Sequence, residues 1–196
     1  MFGRLFGAKQ PATSVVVIAR LNDRAQPIHR GELYEDPLNA VLQEQGLGEV
    51  TGGGTQLAED GEIEFCDIEI GLRDAGEATL TAVRTAFEKL NAPKGSKLIV
   101  ETSGQELPFG LAEGIAVYLN GTDLPDEVYA TCDLDHVFDE FNRLLASDGK
   151  VHSLWQGPTE TALYMYGPSF EAMKGRLASF LASYPLCQQA RVVQVA

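Results

Sequence analysis

Two stretches of the chain share one pattern, in which a strand, a turn and a second strand lead to a glycine. The first is GEVTGGGTQLAEDGEIEFCDIEIGLRD, which runs from Gly48 to Asp74 and places Gly71 after its second strand. The second is VHSLWQGPTETALYMYGPS, from Val151 to Ser169, with Gly167 in the same place. A pattern that recurs at a distance of about half the chain predicts one structural unit written twice.

The first half alternates strand and helix patterns. Residues 14–21 are continuously apolar and rich in β-branched side chains, which indicates a buried central strand. After an irregular polar stretch at 22–35, Asp36 and Pro37 are typical of a helix start, and Gly46 ends that helix. The remaining predicted elements are strands at 47–56 and 62–72, a helix at 77–91 and a strand at 96–101. A change of phase between Phe65 and Cys66 predicts either a bulge at that point or a strand that is covered on both faces.

The second half repeats this order. It has predicted strands at 115–119, 150–155, 161–166 and 191–195, helices at 133–145 and 169–183, and an irregular stretch at 120–131. Each half is therefore β-α-β-β-α-β, which with two right-handed crossovers gives the ferredoxin-like arrangement. We predict an α+β fold that is a tandem duplication of a ferredoxin-like βαββαβ unit. Each unit has an antiparallel sheet with helices on one face, and we expect the two halves to pack through their sheets or edge strands.

The predicted boundaries divide the chain into a tail at 1–13, a first half at 14–103, a linker at 104–113 and a second half at 114–196. Gly104, Pro108 and Gly110 are expected to prevent regular structure in the linker. For the tail, with Phe2, Leu5 and Phe6, three alternatives are open: a frayed end, docking on the protein, or insertion into a membrane surface.

Charge and cysteine content limit the partners. The net charge of −13 is spread over both halves, so it disfavours a nucleic-acid partner and favours a basic protein surface. No apolar run approaches the length of a membrane span. Three cysteines in no metal-binding pattern, without a secretion signal, predict a cytoplasmic protein.

Three constellations invite a chemical interpretation, and each has a better structural one. The glycines 52–54 are followed by a strand and no P-loop lysine, so a bulged hairpin edge is favoured over a phosphate loop. The acidic residues between Asp123 and Asp135 match no calcium loop. Cys132 and His136 flank Asp133, whose charge raises rather than lowers a thiol pKa. We therefore predict no catalytic residue, no metal site and no cofactor.

The aromatic hairpin of the second half is the better lead. Aligning Gly71 with Gly167 places Leu163 and Met165 where the first half has the acidic pair Asp67 and Glu69. An open sheet face that is apolar in one half must be covered by the linker, the other half, a second chain or a partner.

Three function hypotheses follow. The first is a non-catalytic protein-binding module, for example one that neutralises a toxin. The second is a small-molecule-binding protein or enzyme with a cleft between the halves, lined by Tyr129, His136, Trp155 and Glu160. The third is a homodimeric structural protein. Aromatic anchors with polar neighbours are typical of binding patches. The candidate ligand- or partner-binding residues are Glu127, Tyr129, His136, Trp155, Gln156, Thr159, Glu160, Leu163 and Met165.

The motifs EDPL (35–38), GLGEVTGGG (46–54), WQGPTETALY (155–164) and YPLC (184–187) resemble a group of uncharacterised bacterial proteins. The resemblance covers nearly the whole chain and implies no established reaction, cofactor or site. Some small acidic bacterial proteins of similar build are immunity or partner-binding proteins, which agrees with the first hypothesis.

Overall fold

The computed structural model describes residues 15–196, and the predicted tail with Phe2, Leu5 and Phe6 lies outside them. In the first half the elements are β1 (Val15–Leu21), α1 (Pro27–Arg30), a π-helical turn (Gly31–Glu35), α2 (Asp36–Gln45), β2 (Gly48–Leu57), β3 (Ile63–Leu72), α3 (Glu77–Lys89), β4 (Ser96–Val100) and β5 (Gln105–Phe109). The second half has β6 (Glu113–Asn120), α4 (Asp126–Thr131), α5 (Leu134–Leu145), a 3₁₀ turn (Ala146–Asp148), β7 (Lys150–Gln156), β8 (Glu160–Gly167), α6 (Phe170–Ser183), a 3₁₀ turn (Pro185–Cys187) and β9 (Arg191–Gln194).

The two halves have the same sheet topology. The strand order is β2-β3-β1-β4-β5 in the first sheet and β7-β8-β6-β9 in the second, and neighbouring strands are antiparallel. The order places the first strand of each half beside its third and fourth, as the ferredoxin-like arrangement requires. The predicted α+β fold with a tandem duplication is confirmed.

Each half has its own core between its sheet and its helices. In the first half Ala19 and Ile68 of the sheet pack with Leu38 of α2 and Phe87 of α3, all with no exposed surface. The second half repeats this between its sheet and the helices α5 and α6, through Val117, Leu163, Phe141, Met173 and Leu177. The helices therefore cover one face of each sheet and leave the other face for different contacts.

Three stretches predicted to be irregular contain regular structure. The chain is helical from Pro27, where α1 and the π-helical turn lead into α2 without a break. A short helix, α4, lies within 120–131. The linker forms β5, which pairs with β4 at the edge of the first sheet, because Pro108 sits on an edge strand that needs no hydrogen bond from its nitrogen. The expectation of a linker without regular structure was wrong.

The glycines 52–54 lie in edge strand β2, whose register shifts between Val50 and Gly52. This confirms the bulged hairpin edge. A second shift lies between Gln56 and Leu57, opposite Phe65 and Ile63, so the change of phase in β3 comes just before Phe65 and not after it. Extra residues of this kind bend a strand and re-aim its side chains.

The alignment of Gly71 with Gly167 was wrong by one residue. Met165 pairs with Ile115 on the helix-facing side of the second sheet, and in the first sheet it is Ile70, paired with Val17, that has this position. Because side chains alternate between faces, a slip of one residue exchanges the two faces of a strand. Leu163 and Met165 therefore belong to the helix-side core, and the tyrosines beside them occupy the open face.

Candidate functional site

The open face of the second sheet carries an aromatic cluster, which we define by Ala116, Tyr118, Ala162, Tyr164, Tyr166 and Trp155. The first half covers this face. The carboxylate of Glu62, just before β3, accepts hydrogen bonds from the hydroxyls of Tyr118 and Tyr164, each over 2.7 Å. The sequence left open whether the linker, the other half, a second chain or a partner covers this face. In the structure, the other half covers it.

Trp155 lies at the edge of this cluster and is half-buried. Its indole ring lies so close to Gly157 that a Cβ there would come within 2.1 Å of a ring carbon. A Cβ on Gly61, in the turn between β2 and β3, would lie 3.9 Å from the indole nitrogen. Trp155 therefore faces the hairpin of the first half.

A second contact between the halves is made by the segment Asn22–Gln26, which follows the central strand β1. The backbone N–H of Arg24 donates to the hydroxyl of Tyr166 over 3.0 Å, and Ser153 donates to the carbonyl of Arg24 over 2.5 Å. The side chain of Gln26 donates to the carbonyl of Leu154. These bonds hold the segment against β7 and β8, so its side chains are placed between the two halves.

Asp23, in the middle of this segment, is completely buried. Its Oδ2 accepts a hydrogen bond from the Tyr34 hydroxyl over 2.5 Å and lies 3.1 Å from Nδ1 of His152 in β7. Its Oδ1 is also buried and has no hydrogen-bond partner among residues 15–196. Tyr34 comes from the first half and His152 from the second, so Asp23 joins both halves at one carboxyl group.

Such a carboxyl group is costly to bury. A buried polar atom without a hydrogen bond costs about 1–3 kcal/mol, and a buried charge costs more unless it is well paired. For the stability of the fold, an apolar side chain of similar volume is often as good as a buried charged group, or better. A buried carboxyl group of this kind, in contact with a histidine that lines a cavity, marks a candidate functional site.

The surroundings of Asp23 keep its neighbours protonated. Burial, then the negative charge of Asp23, raises the pKa of Tyr34 well above its ordinary value, and the same two causes act on Tyr166. Burial raises the pKa of Cys66 to about 12, and the Cys66 thiol contacts the carbonyls of Asp23 and Ala25. Tyr34 is therefore a donor to Asp23, and Cys66 is an inert thiol.

The cleft between the halves consists of two cavities that share Leu33, Lys150 and His152. One, of about 350 Å³, is lined by His29, Glu32 and Leu33 of the first half and by Phe138, Lys150, Val151, His152, Ser153 and Leu154 of the second. The other, of about 340 Å³, lies on the far side of His152 beside Leu90, Asn91, Tyr166 and the turn 146–149. Both are of a size that accepts a small molecule. We call the first the apolar cavity and the second the polar cavity.

The imidazole of His152 forms part of the wall of both cavities. Its side chain is 7% exposed, and its ring packs on the ring of Tyr166 at a centroid distance of 4.8 Å. Nδ1 contacts Asp23, whereas Nε2 makes no hydrogen bond to any residue in 15–196. His29, on the opposite wall, has a buried Nδ1 that also lacks a partner within this range.

A larger groove of about 490 Å³ lies between α2 and α3 in the first half. Pro37, Val41, Ala82 and Leu90 form its apolar part, and none of the buried polar residues of 15–196 lines it. The groove therefore offers apolar contact without a buried group that could select a ligand.

Three of the residues proposed from the sequence lie on the helix side of the second half. Glu127 and Tyr129 are in α4, and the hydroxyl of Tyr129 bonds with the backbone of Asn120 and Leu124. His136 is exposed in α5, and its ring lies 5.1 Å from that of Tyr184. The second sheet separates Tyr129 from Trp155, so the four side chains proposed to line a cleft are not brought together.

The other proposed residues lie on the hairpin of the second half. Gln156 and Thr159 are exposed near its turn, and Glu160 forms an ion pair with Arg191 over 2.7 Å. Arg191 in turn stacks on Tyr118 at 4.2 Å. Leu163 and Met165 have no exposed surface, so they contribute to the core and not to a surface patch.

Sequence reasoning did not select Asp23, Tyr34, Lys150 or His152. Asp23 lies 129 positions from His152, and only the packing of the halves brings them together. One local signal is present in the sequence, since Glu32-Leu33-Tyr34 before the first helix of one half matches Glu127-Val128-Tyr129 before that of the other. Both tyrosines hydrogen-bond to the loop that follows the first strand of their own half.

Within residues 15–196, no group of three histidine, cysteine or carboxylate side chains is placed to hold a metal ion. No helix in this range is long and apolar enough to cross a membrane.

Comparisons with known proteins give no family. The sequence matches no protein-family profile and no curated protein. Among solved structures, the first two RRM domains of yeast poly(U)-binding protein align over 93% of this chain and 99% of theirs, with 11% identity and a TM-score of 0.25.

Two further structures align at a similar level. The regulatory subunit of aspartate kinase from Thermus flavus aligns over 85% of this chain and 92% of its own, with 13% identity and a TM-score of 0.27. A monooxygenase-like protein from Lactobacillus acidophilus aligns over 94% of this chain and 95% of its own, with 11% identity and a TM-score of 0.29. Likeness at this level says nothing about activity.

Proposed function

We propose that this protein binds a small molecule in the cleft between its two halves, with His152 as the polar group that meets the ligand. The observation that carries the proposal is the position of His152. It forms part of the wall of both cavities, and a fully buried carboxylate from the other half holds its Nδ1.

The lining of the apolar cavity suits an amphipathic ligand. Leu33, Phe138, Val151 and Leu154 provide apolar contact, while His152 provides a polar one. Ligand sites of this size have mainly apolar walls with a few fixed polar groups. The buried contact to Asp23 fixes the imidazole before a ligand arrives, which reduces the entropy lost on binding.

The protein-binding hypothesis has less structural support. Leu163 and Met165 are buried in the core, and the aromatic cluster is covered by the first half. The net charge of −13 still favours a basic partner over nucleic acid. A basic protein partner or a second copy of the chain remains a proposal that rests on charge alone.

We also propose that the chain belongs to the group of uncharacterised bacterial proteins whose motifs it shares, and that it acts in the cytoplasm. Cys66, Cys132 and Cys187 are all free thiols, which agrees with a reducing compartment.

The test is a ligand screen by two-dimensional NMR with the ¹⁵N-labelled protein and a mixture of small aromatic and aliphatic alcohols, acids and amines. We expect the shift changes of a binding compound to be confined to the residues lining the two cavities. The proposal fails if no compound of the set perturbs these residues at millimolar concentration, or if every binder acts elsewhere.

A matched pair of variants adds a control. Lys150 lines both cavities and forms no ion pair with a residue in 15–196, whereas Lys174 on α6 lines neither cavity. Lys150→Ala is expected to change the affinity of a cleft ligand, and Lys174→Ala to leave it unchanged. Both side chains are exposed, so neither variant should affect folding.

A further inference from the structure

We infer that the ligand of the cleft carries a hydroxyl group on a compact apolar body, and that this hydroxyl donates a hydrogen bond to Nε2 of His152. This inference rests on the proposed function and goes beyond it by naming the ligand's chemical class. It follows from the proton positions that Asp23 and its neighbours dictate.

The first step concerns the charge of Asp23. The Tyr34 hydroxyl, which burial keeps protonated by raising its pKa, donates to Oδ2 over 2.5 Å, so Oδ2 is the acceptor in this contact. An ionised carboxylate can only accept hydrogen bonds. Any group in contact with Oδ2 must therefore be a donor.

The second step concerns the imidazole. Nδ1 of His152 lies 3.1 Å from the same Oδ2, so Nδ1 must carry the hydrogen. In its neutral form this imidazole has its hydrogen on Nδ1 and a lone pair on Nε2, which makes Nε2 an acceptor, whereas an imidazolium would donate from both nitrogens. The carboxylate on one nitrogen thereby decides what the other nitrogen can recognise.

The third step concerns the cavity. No residue in 15–196 donates to Nε2, so the acceptor is free for a ligand. Beside it lie the apolar side chains of Leu33, Phe138 and Leu154. A carboxylate group has no proton to give to Nε2, and an apolar group in contact with Nε2 would leave the acceptor without a partner, which disfavours both at this position. An alcohol or a phenol fits both the acceptor and the apolar wall.

The first experiment measures the tautomer without any ligand. The chain has three histidines, so ¹⁵N-histidine labelling gives a simple spectrum of the imidazole nitrogens. His29→Gln and His136→Gln assign the signals by elimination and leave His152 untouched. We expect the His152 nitrogen shifts of a ring protonated at Nδ1. A ring protonated at Nε2 would overturn the inference, because Nε2 would then be a donor.

The second experiment compares para-cresol with its methyl ether, which has a similar apolar body and no donor. We expect para-cresol to bind at least about tenfold more tightly and to shift the Nε2 signal of His152. Equal affinities would overturn the inference, and so would a tighter binding of para-toluate.

The two levels of the proposal fail separately. If other compounds of the screen bind in the cleft and para-cresol does not, the hydroxyl class is wrong and the proposed function stands. If nothing binds there although His152 carries its hydrogen on Nδ1, the proposed function is wrong, and the ligand class with it.

Discussion

Asp23 and His152 form a buried contact between the two halves, with Oδ2 of the carboxylate 3.1 Å from Nδ1 of the imidazole. The side chain of Asp23 is fully enclosed, and that of His152 is 7% exposed. The segment after β1 and the strand β7 therefore cannot separate without exposing a carboxylate and an imidazole whose side-chain hydrogen bonds within residues 15–196 are to each other and to Tyr34.

This relationship predicts a large effect of Asp23→Ala on stability. The substitution leaves the Tyr34 hydroxyl and His152 Nδ1 buried without a partner, so the free energy of unfolding should fall by about 2–4 kcal/mol. Urea denaturation followed by circular dichroism measures it. Asp67→Ala is the control, because Asp67 pairs with Arg20 in a partly exposed ion pair and should lose about 1 kcal/mol or less. Equal losses would contradict the structural role given to Asp23.

The glycines of β2 provide a second matched pair. A Cβ on Gly53 would lie 2.8 Å from Oε1 of Glu35 and 2.9 Å from Nη2 of Arg30, whereas a Cβ on Gly54 would meet nothing within 4 Å. Gly53→Ala would therefore disturb the ion pair between Arg30 and Glu35. Through Arg30 it would also disturb the hydrogen bond to the Gly54 carbonyl, which ties the helical segment to β2. We expect Gly53→Ala to lower the free energy of unfolding by about 1–2 kcal/mol and Gly54→Ala to change it little. The reverse order would show that this ion pair does not fill the space above Gly53.

Alkaline pH should destabilise the protein. Burial raises the pKa of Cys66 and Cys187 from 9.0, and that of Tyr118 from 10.0, to about 12 in each case. The folded protein keeps these protons where the unfolded chain loses them, so stability is full below about pH 9 and falls as the pH rises towards 12. Each group adds a slope of at most about 1.4 kcal/mol per pH unit between its unfolded and folded pKa values, and the slope is smaller for Cys187 and Tyr118 because solvent screens them more than Cys66. Urea midpoints measured across this range test the prediction, and a midpoint unchanged up to pH 11 would contradict it.

Cysteine reactivity should divide the three thiols. Cys66 and Cys187 are buried, and Cys132 is half-buried. Because only a reachable thiolate reacts with a disulfide reagent, we expect one thiol per chain to react rapidly in the native state and all three to react in denaturant. Mass spectrometry of the labelled peptides should find the fast site at Cys132. Rapid labelling of Cys66 would show that the segment Asn22–Gln26 opens on that timescale.

The sequence by itself determined the repeated unit, the fold class and most of the elements, because apolar spacing and helix caps are local. The cap at Asp133 is one case, since aspartate is a preferred capping residue and its side chain accepts from the backbone N–H of Asp135. The core positions of α5 and α6 follow from helical spacing in the same way. The sequence also came close to predicting which side chains of each strand face the helices. The prediction was wrong for the second half because its alignment with the first half was shifted by one residue, which exchanges the two faces of a strand.

Only the tertiary structure decided how the open face of the second sheet is covered and where the cleft lies. Glu62, Asp23 and Tyr34 meet Tyr164 and His152 through the docking of one half on the other, at sequence separations of more than a hundred residues. No local pattern marks such a meeting, since a lone histidine in a strand and a lone aspartate after one are common. The chemistry of the candidate site therefore depends on the packing between the repeats and not on either repeat alone.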